Sequence, residues 1–551
     1  MDLTKSSPNS KSVSEKKNKG KQQKDKLSLE IFKQIKDFPP YYSYENGEWE
    51  ENKNLSSEQK SLINKLIVDE ELRERYKMYG LCDECWQPNT NMYKWCKPCN
   101  TKHFKDNFPN WTSGNPEIDE FIRKYQSEVT GWTGVLEWVP YDQFTDIKKI
   151  GEGAFGEVYK AKWIDGVIGV WSTENNTWKR DKVDNMVVLK VLKKSENITV
   201  DFLREITSQK QAENGSYIVK LWGISQDPIT KNYVMVMKYI PDGNLRQHLN
   251  ANNKDLCFKT LQLYFIAAGL NSVHGQGLMH RDLHSGNILN LNGNKDEDFF
   301  CYIADFGLCR PVNEADKSKV YGVMPYVAPE VLQGQPYTQA SDVYSFGMIM
   351  YEVLTGLPPF YSEEHGINLA LSICWGVRPQ FPEKVKYPQI LIDLIKQCWN
   401  SDPAKRPSSR ELDKTLKDWW WKVQRKENTD FYQQYREAEE FNQRLPDDIR
   451  FPSYEKHPKA IYTSRLLPTT KEMIKLLQKP EEAKILQSVE FNLDKLDDWL
   501  EENEGLDEFV NIFSRIPEVE TELVEKVNID DNEKEQVEQQ LQTQVEMPVK
   551  K

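Results

Sequence analysis

Five short motifs along the chain combine the residue types that handle phosphate groups and divalent cations. A glycine-rich stretch, Gly151-Glu-Gly-Ala-Phe-Gly156-Glu-Val, is followed by Lys190 in an apolar segment. Farther along come His280-Arg-Asp-Leu-His-Ser-Gly-Asn287, Asp305-Phe-Gly and Ala328-Pro-Glu. Glycines let backbone N–H groups approach phosphate oxygens, lysine supplies positive charge, and Asn and Asp oxygens suit Mg²⁺. The set predicts a site for phosphoryl transfer.

The glycine-rich stretch predicts a strand, a turn and a second strand that cover the phosphates of a bound nucleotide. Gly151, Gly153 and Gly156 have no Cβ, so the backbone can lie flat with its N–H groups directed inward. Val158 is expected to cover the adenine ring. The residues assigned to nucleotide binding here are Ile150, Gly151, Glu152, Gly153, Ala154, Phe155, Gly156 and Val158.

The charged residues of the other motifs have separate predicted roles. Lys190 lies in an apolar strand where an unpaired ammonium would be costly, so we expect Glu205, in a predicted helix, to pair with it and align the nucleotide phosphates. Asp282 is the predicted catalytic residue that accepts or orients the proton of a substrate hydroxyl. Asn287 and Asp305 are the predicted Mg²⁺ ligands.

An apolar strand followed by Pro-Asp-Gly predicts the wall of an adenine pocket. Met237 ends the strand and would limit the depth of the pocket, while backbone groups of Lys238 and Ile240 would face the adenine. The alternative, an ordinary core strand, does not explain the turn at 241–243.

The order and spacing of the five motifs resemble the signature set of eukaryotic protein kinases over about half the chain, above all the tyrosine-kinase-like group of fungal kinases. The resemblance implies an α+β, bilobal kinase fold with a β-rich N-lobe and a helical C-lobe. It also implies ATP and Mg²⁺ as cofactors and a protein hydroxyl as acceptor. The alternative is a pseudokinase scaffold that binds nucleotide and partners, but the presence of Lys190, Asp282, Asn287 and Asp305 favours catalysis.

Three positions depart from the family pattern. His284 stands where serine/threonine kinases usually have lysine, and Val323 where they usually have threonine, while no arginine typical of tyrosine kinases replaces His284. We favour Ser/Thr acceptors and keep a tyrosine-specific kinase as the alternative. Gln209, one helical turn after Glu205, stands where active kinases usually carry an apolar residue.

The resemblance also gives roles to the segment from Asp305 to Glu330. Phosphorylation of Ser318 or Tyr321 would order this segment by pairing with Arg281 or Arg310; the equally weighted alternative is that both are plain loop residues.

Further structural roles follow for residues outside direct chemistry. Glu330 and Arg406 are expected to form a buried ion pair, and Asp342 to support the loop that carries Asp282. His280 is expected to be a packed, hydrogen-bonded histidine and not a base.

Four cysteines form a separate motif, Cys82-x2-Cys85-x10-Cys96-x2-Cys99. Paired CxxC sequences at this spacing predict a structural Zn²⁺ held by four thiolates, with unligated thiols as the alternative. The few nearby lysines make a thin basic patch, so we favour protein docking or a structural role over nucleic-acid binding.

Charge and composition limit the class of protein. The chain has 551 residues and a net charge of −12, but residues 481–551 carry 21 acidic and seven basic residues, which leaves the remainder slightly basic. No apolar run is long enough to span a bilayer, and the five scattered cysteines indicate a reducing compartment. We expect a cytoplasmic protein, with the nucleus as the alternative.

The composition along the chain predicts a succession of segments. Within 28–79 the apolar spacing favours two short helices, and 116–129 predicts one more. The predicted segments are a disordered basic tail (1–27), a helical segment (28–79), the cysteine module (80–105), a helical linker (106–140), the kinase domain (141–424) with a hairpin insertion (165–184), a C-terminal extension (425–480) and an acidic tail (481–551).

Overall fold

The structure is a computed structural model that divides into two compact units. The first comprises residues up to 214 together with 219–239, and the second 215–218 together with 240 onward. Both predicted tails, 1–27 and 481–551, lie outside the described residues. The structure describes residues 28–38, 42–45, 48–51, 54–91, 94–152, 156–182, 185–193, 195, 200–213, 217–251, 255–291, 299–312, 320–450 and 453–469.

The first unit begins with helices packed around a small apolar cluster. Ile35, Ile63 and Tyr76 are almost fully buried in this cluster, and Ser56 begins a helix with a reciprocal capping box to Gln59. The apolar spacing predicts two helices between residues 28 and 79, whereas the structure has three and a β-hairpin. The elements are α1 (Leu29–Ile35), β1 (Tyr42–Glu45), β2 (Glu48–Glu51), α2 (Ser57–Leu66) and α3 (Glu70–Tyr79).

Two helices and a short strand connect this segment to a sheet. Helix α5 confirms the helix predicted from 116–129: Asn115 caps it, and Pro116 occupies the first turn, where no N–H partner is needed. On α5, the Gln126 amide donates to the Leu136 carbonyl at 2.9 Å, which fixes the chain just before the strand. The elements are α4 (Lys97–Asn107), α5 (Pro116–Glu128) and β3 (Glu137–Trp138).

A six-stranded sheet forms the body of the first unit. Its strand order is β3-β9-β10-β8-β5-β4, in which β3 runs parallel to β9 and the other neighbours are antiparallel. The remaining elements of this unit are β4 (Phe144–Glu152), β5 (Gly156–Trp163), β6 (Val167–Ser172), β7 (Thr177–Asp181), β8 (Met186–Leu192), α6 (Val200–Ala212), β9 (Leu221–Gln226) and β10 (Tyr233–Lys238).

Strands β6 and β7 pair as a hairpin outside the sheet, within the segment for which the sequence predicts an insertion. Trp178 of this hairpin stacks on Phe104 of α4 with ring centroids 4.6 Å apart, and Trp171 stacks on His103 at 3.7 Å. The insertion therefore packs directly against the helix that Cys96 caps and that contains Cys99, a contact that the sequence did not reveal.

The second unit is mainly helical. Helix α10 lies at its centre, with every residue from Ser341 to Thr355 buried. A short strand near the end of the described chain, β16, pairs antiparallel with β15. The elements are α7 (Leu245–Ala251), α8 (Leu256–Gly275), β11 (Leu278–Met279), β12 (Ile288–Leu291), β13 (Phe300–Ile303), β14 (Arg310–Pro311), β15 (Val320–Gly322), α9 (Pro329–Leu332), α10 (Gln339–Thr355), α11 (Ile367–Cys374), α12 (Gln389–Cys398), α13 (Ser409–Gln424), α14 (Asp430–Asn442), α15 (Asp447–Arg450) and β16 (Arg465–Leu467). Among the described helices, none is both long and apolar enough to cross a membrane.

The contact between the hairpin and β3 generates a stability prediction. The Arg180 guanidinium donates to both carboxylate oxygens of Glu137, at 2.5 and 3.3 Å, and the Glu137 side chain is only 9% exposed. Arg180→Met should lower the free energy of unfolding by about 3 kcal/mol, because it leaves a buried carboxylate unpaired. Urea unfolding of the intact chain measures the change.

The matched control is the double variant Arg180→Met with Glu137→Leu. It removes both charges, so it should recover most of the lost stability. A double variant as unstable as Arg180→Met alone would show that the hairpin depends on packing and not on this ion pair.

Candidate active site

A buried ion pair in the first unit joins strand β8 to helix α6. The Lys190 ammonium lies 2.6 Å from a carboxylate oxygen of Glu205, and both residues are less than a tenth exposed. This is the contact that the sequence predicts. Because each charge is desolvated, separating the two would be costly, so the pair fixes α6 relative to the sheet.

Polar contacts at the end of α6 fix that helix further. Gln209 is fully buried, and its side-chain amide donates to the Val219 carbonyl at 2.9 Å. Lys210 and Glu213 form an ion pair with both side chains 2% exposed, and Glu213 also accepts the Leu221 backbone N–H at 2.6 Å. The departure from the family pattern at Gln209 therefore adds a hydrogen bond that anchors α6 beside β9.

The glycine-rich stretch is described at its two ends. Gly156 begins β5 so close to β8 that an added Cβ would lie 2.3 Å from the Val191 carbonyl oxygen, which accounts for glycine there. Glu152 is exposed and pairs with Lys149 and Lys193. Ile150 is half exposed and Val158 half buried. The predicted phosphate-binding residues Gly153, Ala154 and Phe155 lie outside the described residues.

The residues predicted to line the adenine pocket lie at the end of β10 and just after it. Met237 is 6% exposed in the first unit, and Ile240 is 5% exposed in the second. The Lys238 backbone N–H donates to the Lys220 carbonyl at 2.8 Å, which continues the pairing of β10 with the chain before β9.

A buried carboxylate on α10 organises the loop that carries Asp282. Asp342 accepts the backbone N–H groups of His280 at 2.8 Å and Arg281 at 2.9 Å, and it contacts His274 Nε2 at 2.9 Å. Burial alone would raise the pKa of Asp342, but these hydrogen bonds outweigh burial and lower it. Arg281 adopts a left-handed backbone conformation, with φ of 68°, so the loop turns sharply where Asp342 holds it.

Three predicted or suspected site residues lie together on this loop. The Asn287 amide donates to the backbone carbonyl of Asp282 at 2.9 Å and to its carboxylate at 3.4 Å. His284 accepts the Gly286 N–H at Nδ1, and its Nε2 lies 3.7 Å from Asp282 Oδ1. Asp282 is thus flanked by an amide donor and an imidazole, and it is only 6% exposed.

The Asp305 motif approaches the same loop through the backbone. The Ala304 N–H donates to the Asn287 carbonyl at 2.9 Å, and Gly307 N–H contacts the Asp305 carboxylate at 3.3 Å. Phe306 is fully buried with its ring edge toward His280, at 5.2 Å. His280 contacts the Ala304 carbonyl, and burial lowers its pKa. His280 is therefore a packed, hydrogen-bonded histidine, as predicted.

The segment after Asp305 is fixed by further contacts. The Arg281 guanidinium lies over the Tyr337 ring, 4.5 Å from its centroid, and the Tyr337 hydroxyl donates to the Tyr321 carbonyl at 2.5 Å. Arg406 and Glu330 form the predicted ion pair through two contacts of 2.7 and 2.8 Å. Ser318, the other suggested phosphorylation site, lies outside the described residues.

The four cysteines converge in the first unit. The sulfur atoms of Cys82 and Cys99 are 3.9 Å apart, those of Cys85 and Cys96 are 3.6 Å apart, and all four lie within 4.8 Å of one another. Thiolates bound tetrahedrally at about 2.3 Å from Zn²⁺ are about 3.8 Å apart, so the cluster fits a four-thiolate metal site. His103 instead contacts Glu84 at 2.6 Å and stacks on Trp171.

A buried polar network beside the Asp282 loop is not predicted from the sequence. Glu352, 1% exposed, contacts the Tyr326 hydroxyl at 2.5 Å and Arg246 Nε at 3.1 Å. The Tyr326 hydroxyl also lies 3.4 Å from the Ser285 hydroxyl. The available signal was the lone acid in the apolar run Met-Ile-Met-Tyr-Glu-Val-Leu, since a buried carboxylate needs a partner.

Comparison with known proteins decides the class of the domain. The sequence model of the protein tyrosine and serine/threonine kinase family matches residues 144–416. This part of the chain is a protein kinase domain. The sheet-rich first unit contains Lys190 and Glu205, and the helical second unit contains Asp282, Asn287 and Asp305.

Similar proteins come from several lineages. A probable serine/threonine-protein kinase of Dictyostelium discoideum is 32% identical over 279 residues, which are 49% of this chain and 27% of that protein. A putative serine/threonine-protein kinase/receptor of Acanthamoeba polyphaga mimivirus is 30% identical over 298 residues, 54% of this chain and 16% of that protein. A protein kinase and PP2C-like domain-containing protein of Arabidopsis thaliana is 30% identical over 233 residues, 36% of this chain and 34% of that protein. The chain thus matches about a third or less of the length of each.

Asp342 yields a prediction on stability and pH. Asp342→Asn should lower the free energy of unfolding by about 3 kcal/mol near neutral pH, because an amide cannot accept all the N–H groups that now face the carboxylate. The folded-state pKa of Asp342 is lowered, so its stabilisation is present above the unfolded pKa of about 3.9 and is lost as the pH falls through the folded-state value. The difference in free energy of unfolding between wild type and Asp342→Asn should therefore become smaller in acid.

Urea unfolding from about pH 7 to about pH 3 measures this difference. Asp402→Asn, a change at a partly exposed carboxylate that begins a 3₁₀ turn, is the comparison for acid effects on other carboxylates. A difference in free energy of unfolding between wild type and Asp342→Asn that stays constant with pH would contradict the assignment of a charged Asp342.

Proposed function

We propose that the chain is an active protein kinase that transfers the γ-phosphate of MgATP to serine or threonine hydroxyls of proteins. The observation that carries the proposal is the arrangement around Asp282, where Asn287 donates to both the backbone and the carboxylate of Asp282. A carboxylate held in this way beside an amide oxygen suits proton handling and metal binding in phosphoryl transfer.

Each residue of the site has a separate proposed role. Asp282 orients the acceptor hydroxyl and takes its proton as the new phosphate ester forms. Lys190, held by Glu205, binds the nucleotide phosphates. Asn287 and Asp305 offer hard oxygen atoms of the kind Mg²⁺ prefers, and bound Mg²⁺ neutralises charge on the phosphates. The nucleotide-binding assignments for Ile150 to Val158, Met237, Lys238 and Ile240 belong to the same proposal.

The choice of Ser/Thr over Tyr rests on similarity and on the Asp282 loop. The names of the similar Dictyostelium and mimivirus proteins specify serine/threonine kinases. His284, whose Nε2 is directed at Asp282 Oδ1 from 3.7 Å, would orient the carboxylate from the position where such kinases usually carry lysine. We assign the chain to the tyrosine-kinase-like group, with the resemblance to fungal members as the basis.

We also propose that Cys82, Cys85, Cys96 and Cys99 hold a structural Zn²⁺. The sulfur spacing supports four-thiolate ligation, which leaves no position for a catalytic water. The metal would stabilise the fold around α4, whose His103 and Phe104 pack on the hairpin. The module and the acidic tail are candidate docking surfaces for proteins, in preference to nucleic acid or membrane.

The proposal also includes the location of the protein and the bounds of the kinase domain. We place the protein in the cytoplasm, with the nucleus as the alternative, because the five cysteines outside the cluster form no disulfides. The kinase domain would extend from 141 to 424, slightly beyond the family match at both ends.

The catalytic assignment predicts loss of transfer when Asp282 is changed. The wild-type chain with radiolabelled MgATP and a mixed protein substrate should yield phosphoserine and phosphothreonine, and Asp282→Asn should reduce the rate by about a thousandfold or more. Phosphoamino-acid analysis identifies the acceptor class. Asp393→Asn, a change on an exposed part of α12, is the matched control and should keep the wild-type rate.

Two outcomes would contradict this proposal. Nucleotide binding without any transfer would favour the pseudokinase scaffold, and phosphotyrosine as the product would favour the tyrosine-specific alternative.

The zinc assignment predicts a metal content that depends on the cluster. The intact chain should contain about one Zn²⁺, and Cys85→Ser should lose most of it and unfold at lower temperature. Elemental analysis and thermal unfolding measure both effects. Cys257→Ser, at a half-buried thiol of the second unit, should keep the metal; a wild-type chain with free thiols and no metal would refute the site.

A further inference from the structure

The strand β16 occupies a defined place on the segment that follows Asp305. It pairs antiparallel with β15, with Arg465 opposite Gly322, Leu466 opposite Tyr321 and Leu467 opposite Val320. Gly322 has a φ of 140°, and a Cβ placed on it would lie 3.6 Å from Asp282 Oδ1. The first residue of β16 is therefore paired with the residue that adjoins the proposed catalytic carboxylate.

The residue just before β16 is a serine with an unusual environment. The Ser464 hydroxyl oxygen is buried and, in the part of the chain that the structure describes, has no hydrogen-bond partner. The same holds for Asp282 Oδ1. Buried polar atoms normally have partners, so each of these oxygens is open to a partner from outside the described residues, and the pairing of Arg465 with Gly322 links the two along the chain.

The chain around Ser464 is held by specific contacts and does not merely rest on the surface. His365 accepts the Ile461 N–H at Nδ1, at 3.1 Å, and contacts the Phe360 carbonyl through Nε2, at 3.2 Å. The Arg465 guanidinium donates to the His365 carbonyl at 2.7 Å. On either side of Ser464, the main chain is therefore tied to the loop after α10 and to β15.

A second set of contacts links this extension to the network beside the Asp282 loop. Arg246 donates to the Tyr462 carbonyl at 3.2 Å, and its guanidinium lies 4.4 Å from the Tyr462 ring centroid. Arg246 also pairs with Glu352 and contacts the Tyr326 hydroxyl. The groups that support the Asp282 loop thus also bind the extension, which gives Ser464 a fixed position.

We propose that Ser464 is a phosphoacceptor of this same chain, presented to Asp282 by the strand β16. The proposal rests on the proposed kinase activity. In the reaction the Ser464 hydroxyl oxygen bonds to the γ-phosphorus of ATP, the bond from that phosphorus to the bridging oxygen of ADP breaks, and the hydroxyl proton passes to Asp282. The products are ADP and a phosphoserine ester.

The placement has two physical consequences. An acceptor tethered on the same chain competes at an effective concentration on the order of millimolar, so β16 excludes other acceptors that pair with β15. After transfer, the dianionic phosphate would lie beside the Asp282 carboxylate, and like-charge repulsion would weaken the docking of β16. Modification of Ser464 would then open this surface to other substrates.

The test uses the full chain after phosphatase treatment, incubated with MgATP and followed by mass spectrometry of the 463–469 region. Phosphate should appear on Ser464, and the fraction modified per unit time should not change with dilution, because transfer is intramolecular. Transfer to casein, measured in parallel, reports the kinase activity itself. A rate on Ser464 that falls in proportion to dilution would overturn the proposal.

Matched variants distinguish the loss of β16 pairing from a general loss of stability. Leu467 is 3% exposed and Leu466 54% exposed, so Leu467→Asp should slow Ser464 modification by about tenfold or more through misplacement of the hydroxyl, whereas Leu466→Asp should not. Leu467→Asp should also raise the initial rate on casein. Ser464→Ala should remove the modification, and the neighbouring Thr463→Ala should retain it.

The outcomes distinguish this proposal from the kinase assignment. Casein phosphorylation with an unmodified Ser464 would overturn only the acceptor role. Absence of transfer to casein and to Ser464 alike would overturn the proposed activity, and the acceptor role with it.

Discussion

A carboxylate buried in the first turn of an apolar helix, Asp342, has to be satisfied by hydrogen bonds, and the donors that face it include the backbone N–H groups of His280 and Arg281. Because an unsatisfied buried carboxylate is costly, this requirement fixes the path of the chain immediately before Asp282. The left-handed conformation of Arg281 is maintained by the same contacts. The geometry around Asp282 and Asn287 thus depends on a residue about 55 to 60 positions away in the sequence.

The same physical rule recurs in both units. Lys190 with Glu205, Lys210 with Glu213, and Arg406 with Glu330 are pairs in which burial makes each charge depend on its partner. Such pairs add little net stability compared with apolar packing, but the cost of separating them fixes the relative positions of the elements that carry them. In this chain those elements are the ones that carry the predicted phosphate-binding and catalytic residues.

Two features specific to this chain extend the kinase domain by packing. The hairpin β6–β7 covers α4 of the cysteine module with Trp171 and Trp178, so the module is part of the first unit's core and not a loosely attached appendage. The strand β16 pairs with β15 in the second unit. The hairpin contacts the cysteine module and Glu137, whereas β16 contacts the segment between Asp305 and Glu330.

The sequence by itself determined the motif residues, the helix at Pro116–Glu128, the Lys190–Glu205 and Arg406–Glu330 pairs and the cysteine spacing. These are carried by local patterns or by residue types whose burial demands a partner. Only the tertiary structure decided that Gln209 anchors α6 through Val219, that the hairpin packs on α4, and that β16 pairs with β15. Those contacts join segments far apart in the chain. Strand pairing uses backbone groups, so it places few constraints on residue type. The sequence of a short strand such as Arg-Leu-Leu therefore does not identify the strand with which it pairs.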